Sequence, residues 1–306
     1  MQRFLLSRIL QSILTLLAVS FIIFSMSRWS GDPLNLLLDI SATQEDKALL
    51  AKKLGLDKSL LAQYGIFLGN ALRGDFGTSI VTKAPVIDLL FERALNTFEL
   101  GAVAFGVSLL IALPVGVYSA VKRGTFLDTL FRVIAISGQS IPVFWLGLML
   151  IFLFGVILKI LPTGGKGGVS SLILPSITLG WYVAAGIMRL TRTSMLEVLR
   201  TEYIRLARIK GLSEWVIIWK HGFKNAALPV LTFAVLLFVM MLGGAVVTET
   251  VFAWPGLGRL VINSVTWRDY PVVQATVLFL SMLYIFANLL ADILYAYLNP
   301  RIRYGG

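Results

Sequence analysis

The sequence predicts an all-α integral membrane protein with six transmembrane helices and both termini in the cytoplasm. Three observations carry that expectation. Of 306 residues, 57% are hydrophobic and only 14% are charged, against about 25% charged in soluble domains. The apolar residues fall into long uncharged runs of the length a bilayer requires. Lys and Arg are distributed unequally over the short connections between those runs.

The runs are Ile9–Ser27, Leu100–Val121, Val133–Leu158, Leu172–Met188, Leu228–Val247 and Val272–Leu298, the last interrupted by Asp292. Inside lipid the backbone must satisfy its own hydrogen bonds, so each reads as a helix; a membrane β-barrel would show alternation instead. The first run is too long for the apolar stretch of a cleaved signal, and no A-x-A-like site follows it. One set of short connections, with the two ends, holds 15 basic residues, from Arg3 through the Arg189–Lys224 stretch to Arg303; the opposite set holds only Lys159, Lys166, Arg259 and Arg268. The basic side is cytoplasmic. A formal charge of +11 could suggest nucleic acid, but membrane orientation accounts for it, and no nucleic-acid partner is expected.

The order of runs divides the chain into an amino-terminal tail with the first helix (1–27), an extracytoplasmic helical segment (28–99), and a five-helix core (100–306) that includes a cytoplasmic loop at 189–227. In the outer segment, Thr43 with Asp46 predicts a capping box for a short helix ending at Gly55. Ser59 caps a second helix that Gly74 stops, and Pro85 suits the first turn of a third, Val86–Leu95. This segment is either a helical cap or a docking surface for an outside partner. Gly138 and Pro142 predict a kink in the third span.

The cytoplasmic stretch is the most informative. Ser194 is expected to cap a helix reaching Lys210, Gly211 to stop it, and Ser213 with Glu214 to open the next. A basic face beside anionic headgroups accounts for the charge, but not for a capped corner that displays Leu212, Trp215 and Trp219; such a protrusion suits insertion into another protein. Between the last two spans, ETVFAWPGLGR turns at Pro255–Gly256. This apolar hairpin either re-enters the membrane or gates a cavity, while interfacial anchoring is the simpler reading of Phe252, Trp254, Trp267 and Tyr270.

Covalent chemistry has no foothold. There is no cysteine, and His221 is the only histidine, so the chain holds no thiol nucleophile and no paired-His metal motif. The GGKGG run at Gly164–Gly168 lacks the order and flanks of a phosphate loop, and Gly138-Gln139-Ser140 lacks the second glycine and the sheet of a nucleophile elbow. Asp292 is an intramembrane carboxylate, and thus a functional candidate, close enough to the end of its span to pair with a basic residue there. No catalytic, metal or cofactor-binding residue is assigned.

These same segments resemble the permease subunits of bacterial ABC importers for peptides, nickel and related solutes, in the branch typified by the first permease of dipeptide and oligopeptide importers. The resemblance rests on LLSRIL before the first span, GDP at Gly31–Pro33, LGLD at Leu54–Asp57, GDFGTSI at Gly74–Ile80, ALP after the cytoplasmic corner, ETVFAWPGLGR, and RDYPVVQ…NLLADILYAYLNPRIRY. It covers practically the whole chain.

It implies the type I importer permease architecture in the bacterial inner membrane. It further implies a second homologous permease, two ATP-binding subunits carrying ATP and Mg²⁺, and an extracytoplasmic solute-binding protein. The corner is then the ATPase-coupling element, formed by Ala207, Arg208, Lys210, Gly211, Leu212, Ser213, Glu214 and Trp215. Aligned on Gly211, the family's Glu-Ala-Ala letters fall on Arg205, Leu206 and Ala207, so only the last alanine survives, in an Ala-Arg-x-Lys-Gly-Leu pattern. Phe252, Trp254, Pro255, Gly256, Leu257 and Gly258 are expected at an outer gate or binding-protein contact. Peptide is the default solute; nickel or other metal chelates, glutathione and opines share the same motifs. An ion-coupled secondary carrier is the competing class, and it would show an internal repeat and midplane acids or broken helices.

Overall fold

The computed structural model describes residues 2–29, 45 and 58–298. Their elements are α1 (Gln2–Trp29), α2 (Leu60–Leu72), α3 (Val86–Val121), α4 (Phe126–Ser140), α5 (Val143–Ile157), α6 (Val169–Leu199), α7 (Glu202–Ile209), α8 (Glu214–Val251), α9 (Leu257–Thr266) and α10 (Tyr270–Leu298). Among the described residues the only β pairing is an isolated bridge from Thr78 to Pro85. Helices α1, α3, α6, α8 and α10 are long and apolar enough to cross a membrane, and counting the bent pair α4–α5 as one span brings the number to six. The expected capping box at Thr43 and Asp46 and the stop at Gly55 lie outside the described residues.

Two units divide the chain: residues 1–96 with 256–286, and residues 97–255 with 287–306. In the first, Val86, Leu90 and Ala94 present one helical stripe to Leu257, Val272 and Ala275. There α2 begins where the sequence places it, since Ser59 Oγ accepts a hydrogen bond from the Ala62 amide, and it ends before Gly74, whose φ is +78°. Helix α2 lies along α1: Phe24 stacks on Phe67 at 5.4 Å, and the Ser20 and Tyr64 hydroxyls are 2.7 Å apart.

In the second unit α6 is the most enclosed span, with 72% of its apolar window buried. Burial cannot drive this packing where lipid is as apolar as leucine, so small residues and interhelical hydrogen bonds carry it. Ser108 Oγ on α3 donates to the Gly180 carbonyl of α6 at 2.9 Å. Leu179, Val183 and Ile187 on α6 then meet Ala234, Leu237 and Met241 on α8.

Three boundaries differ from the sequence reading. The outer helix expected over Val86–Leu95 does not stop there but runs on as the second span, giving one helix of 36 residues. No breaker intervenes, and the polar Asn96 and Thr97 are buried rather than turned to solvent. The third span is broken, not kinked: α4 and α5 meet at 111°. Ile141 is held extended before proline (φ −81°, ψ 125°), as steric conflict with the proline ring demands, and Pro142 has no amide to continue the ladder. Finally, Ser194 caps nothing; it is a buried residue inside α6, which continues to Leu199. The break falls at Arg200–Thr201, where Thr201 is extended and opens α7.

Candidate functional site

The cytoplasmic corner is built on a tight helix stop. At the end of α7 the Gly211 amide donates to the Arg208 carbonyl and the Leu212 amide to the Ala207 carbonyl, while Gly211 sits at φ +76°. This is a Schellman closure, which needs a left-handed residue after the helix and so favours glycine. Ser213 is extended and precedes Glu214, the first residue of α8. Arg208 clamps across the turn, its Nε donating to Glu214 Oε1 at 2.8 Å, and these hydrogen bonds raise the guanidinium pKa above its ordinary value. Both side chains are largely exposed, so the pair contributes under about 1 kcal/mol. The backbone closure at Gly211 sets the shape.

Ile204, Ala207 and Ile217 anchor this corner from within. Its outer face is apolar: Leu206, Ile209, Leu212 and Trp215 are all exposed, Ile209 by 75% and Trp215 by 71%. Trp219, expected on the same surface, is instead half-buried and stacks its edge on Phe223 at 5.5 Å. Lys210 is exposed beside the turn. Thus Ala207 faces inward while Arg208, Lys210, Leu212, Ser213, Glu214 and Trp215 face out.

Helix α8 starts at this corner and ends, 38 residues later, at the outer turn, a span of roughly 57 Å at 1.5 Å per residue. Its far end is a second Schellman closure: the Ala253 amide donates to the Thr250 carbonyl and the Trp254 amide to the Glu249 carbonyl. Here a non-glycine residue, Ala253, takes φ +50°, at a cost of about 1–2 kcal/mol. The GGKGG run now has a place. The Gly165 amide donates to the Phe252 carbonyl at 2.8 Å, and a Cβ on Gly164 would lie 2.6 Å from that oxygen, so only glycine lets the two backbones approach this closely. Lys166 pairs with Glu99 and lies 5.6 Å from the Trp254 ring centroid.

Interfacial anchoring therefore does not describe Phe252 and Trp254, which are fully buried, Trp254 within the main core of its unit. Trp267, 57% exposed, does suit an interface, and Tyr270 is half-buried. Pro255 is half-buried; Gly256, Leu257 and Gly258 are buried, with Leu257 in the core of the first unit. Asp292 is half-buried near the end of α10.

Two acids buried in the second unit escaped the sequence reading. Glu249 is fully buried and accepts from Thr97 Oγ1 at 2.7 Å. Asp128, in the first turn of α4, is enclosed by Arg192 Nε at 2.8 Å and Nη2 at 3.0 Å, Ser119 Oγ at 2.6 Å and the Gly124 amide at 2.9 Å. It fastens the ends of α3 and α4 to α6 on the cytoplasmic side.

The chain matches the family model described as "Binding-protein-dependent transport system inner membrane component" over residues 112–304, and that described as "Binding-prot-dependent transport system membrane comp, N-term" over residues 1–105. It is 43% identical over 305 residues to the glutathione transport system permease protein GsiC of Escherichia coli K12, covering 99% of this chain and 100% of the relative. The protein of the same name from Salmonella typhimurium LT2 shows the same identity and coverage. Among solved structures, an inward-facing MetNI methionine ABC transporter chain aligns with a TM-score of 0.56 at 22% identity, over 69% of this chain and 96% of that one. This last likeness speaks to the fold alone.

Proposed function

Because the chain belongs to the family of inner-membrane permease components of binding-protein-dependent ABC importers, we propose that it pairs with a second, homologous permease to form the pathway of an ATP-driven importer of short peptides. Within the family this is a non-catalytic, multi-pass subunit of the inner membrane, and ATPase and binding-protein partners accompany it in general. In our reading two ATP-binding subunits carry ATP and Mg²⁺, and an extracytoplasmic protein delivers the solute.

The observation that carries the mechanism is the corner. A closed, glycine-dependent turn projects Leu206, Ile209, Leu212 and Trp215 into the cytoplasm, where an ATPase subunit can enclose them. The first residue of α8 belongs to that turn and its last ones to the Phe252–Trp254 turn. Closure of the ATPase pair then moves one end of a continuous helix and biases the other. Such coupling requires that the ATPases contact the corner differently in their two states.

Glutathione is itself a short peptide, and the full-length 43% identity to permeases named for it supports it as the first cargo to test. The test is uptake by the purified complex in proteoliposomes, with its binding protein, of glutathione, di- and tripeptides, nickel chelates and opines. ATP-dependent accumulation of glutathione or another peptide is expected. Accumulation of only chelates or opines would refute the cargo, and uptake driven by an ion gradient without ATP would refute the class.

A further inference from the structure

We propose that the groove between Arg123 and Arg200, on the cytoplasmic side, binds the phosphate headgroup of an anionic phospholipid, one of whose acyl chains enters the adjoining pocket between Phe131 and Met188. The groove has a volume of about 490 Å³ and is lined by four arginines, Arg123, Arg132, Arg192 and Arg200, against two carboxylates, Asp128 and Glu197.

The charges in it are not equivalent. Asp128 is consumed internally by Arg192, Ser119 Oγ and the Gly124 amide. Arg132 is turned toward it, 3.8 Å from Oδ1, with its Nη2 donating to Thr129. Arg123 and Arg200 are exposed and have no side-chain hydrogen bond or ion pair among the described residues. The groove thus keeps an excess of positive charge, and its two outermost guanidiniums are free to form the paired N–H···O bonds that suit a phosphate.

What selects a lipid over free phosphate is the neighbouring space. Sharing Arg132, Arg192 and Thr193 with the groove is a pocket of about 130 Å³ whose remaining wall is Phe131, Ala135, Ile136 and Met188, with Ser119 and Arg189 beside them. A polar, cationic mouth that continues into an apolar slot matches an amphipathic anion. Its height is also right, because the Lys122–Gly124 connection lies on the cytoplasmic side by the distribution of Lys and Arg, where anionic headgroups gather and basic pockets between helices hold them.

The experiment is native mass spectrometry of the full-length chain, with whatever subunits co-purify, released from nanodiscs of phosphatidylethanolamine alone or mixed with phosphatidylglycerol. The wild type is expected to retain phosphatidylglycerol and not phosphatidylethanolamine, with millimolar inorganic phosphate failing to displace it. Arg123→Gln with Arg200→Gln should lower that retention on the order of tenfold; Arg123→Lys with Arg200→Lys, which keeps the charge but loses the paired bonds, should fall between it and the wild type, and the remote Arg205→Gln should keep most of it. Equal retention by the glutamine double variant, equal retention of both lipids, or displacement by free phosphate would overturn the proposal. So would a photo-crosslinker at position 123 that labels a protein subunit rather than lipid in native membranes. None of these readouts depends on the transported solute.

Discussion

Ser79 Oγ donates to Asp269 Oδ2 at 2.5 Å although the two residues lie 190 positions apart. The Ile80 and Val81 amides also turn toward the same carboxylate, at 3.0 and 3.4 Å, and Asp269 is buried. The GDFGTSI and RDYP segments, two of the most recognisable in the sequence, are therefore halves of one structural element. The loop after α2 is clasped by the residue that introduces α10.

Replacing Asp269 by Ala would leave a hydroxyl and two amides without their acceptor. At about 1–3 kcal/mol for each buried donor orphaned, a loss of roughly 3 kcal/mol in stability is expected, seen as a lowered thermal unfolding midpoint of the solubilised protein. Ser79→Ala removes one donor to the carboxylate and the acceptor of the Thr82 amide, leaves the two amide donors of Asp269 in place, and should cost less, roughly 1–2 kcal/mol. An unchanged midpoint for the aspartate variant would contradict this account of the clasp.

Asp128→Ala strands the half-buried Arg192 and should destabilise by about 3–5 kcal/mol, the usual cost of breaking one partner of an enclosed pair. Asp128→Asn keeps the shape and the Ser119 contact and should cost less. Restoration of part of the loss by Arg192→Met in the Asp128→Ala background, read in a double-mutant cycle, identifies the stranded charge as the cause.

At the outer turn, Gly164→Ala places a methyl 2.6 Å from the Phe252 carbonyl oxygen. Overpacking against backbone, which cannot swing away, is expected to cost about 1–3 kcal/mol. The thermal midpoint should fall, whereas Gly167→Ala, with nothing near its Cβ, should leave it nearly unchanged.

Gly211→Pro cannot adopt φ +76°, because proline fixes φ near −65° and lacks the amide that closes onto Arg208. The variant is expected to insert and accumulate in the membrane normally but to lose transport. Normal uptake at normal expression would show that the corner is not the coupling element.

Much of this architecture was legible because bilayers impose coarse rules. Span length, the positive-inside count, the left-handed stop at Gly211 and the amide-lacking Pro142 are local signals, and each marks a real boundary. What stayed hidden was nonlocal. Asp128 and Arg192 are 64 residues apart, and neither carries a mark in sequence that it has a buried partner. Ser194 is a common capping residue, but a helix continues through serine wherever packing encloses it, as here. Phe252 and Trp254 have the composition of interface anchors; the approach of Gly164 and Gly165 to the Phe252 carbonyl, invisible to periodicity, belongs to the packing that encloses them. The angle of the break at Pro142 depends on how α4 packs against α6 and how α5 packs against α6 and α8, and no local motif encodes it.

The central claim, that an ATPase engages the corner, has a direct test because the chain contains no cysteine. Trp215→Cys provides the chain's sole thiol on the exposed face, to be joined by a thiol-to-amine cross-linker in native membranes and identified by mass spectrometry. The account predicts an adduct with an ATP-binding subunit whose yield changes when ATP is trapped. An unmodified chain, or the same adducts whether the cysteine stands at 215 or at the remote, exposed Val169, would contradict it.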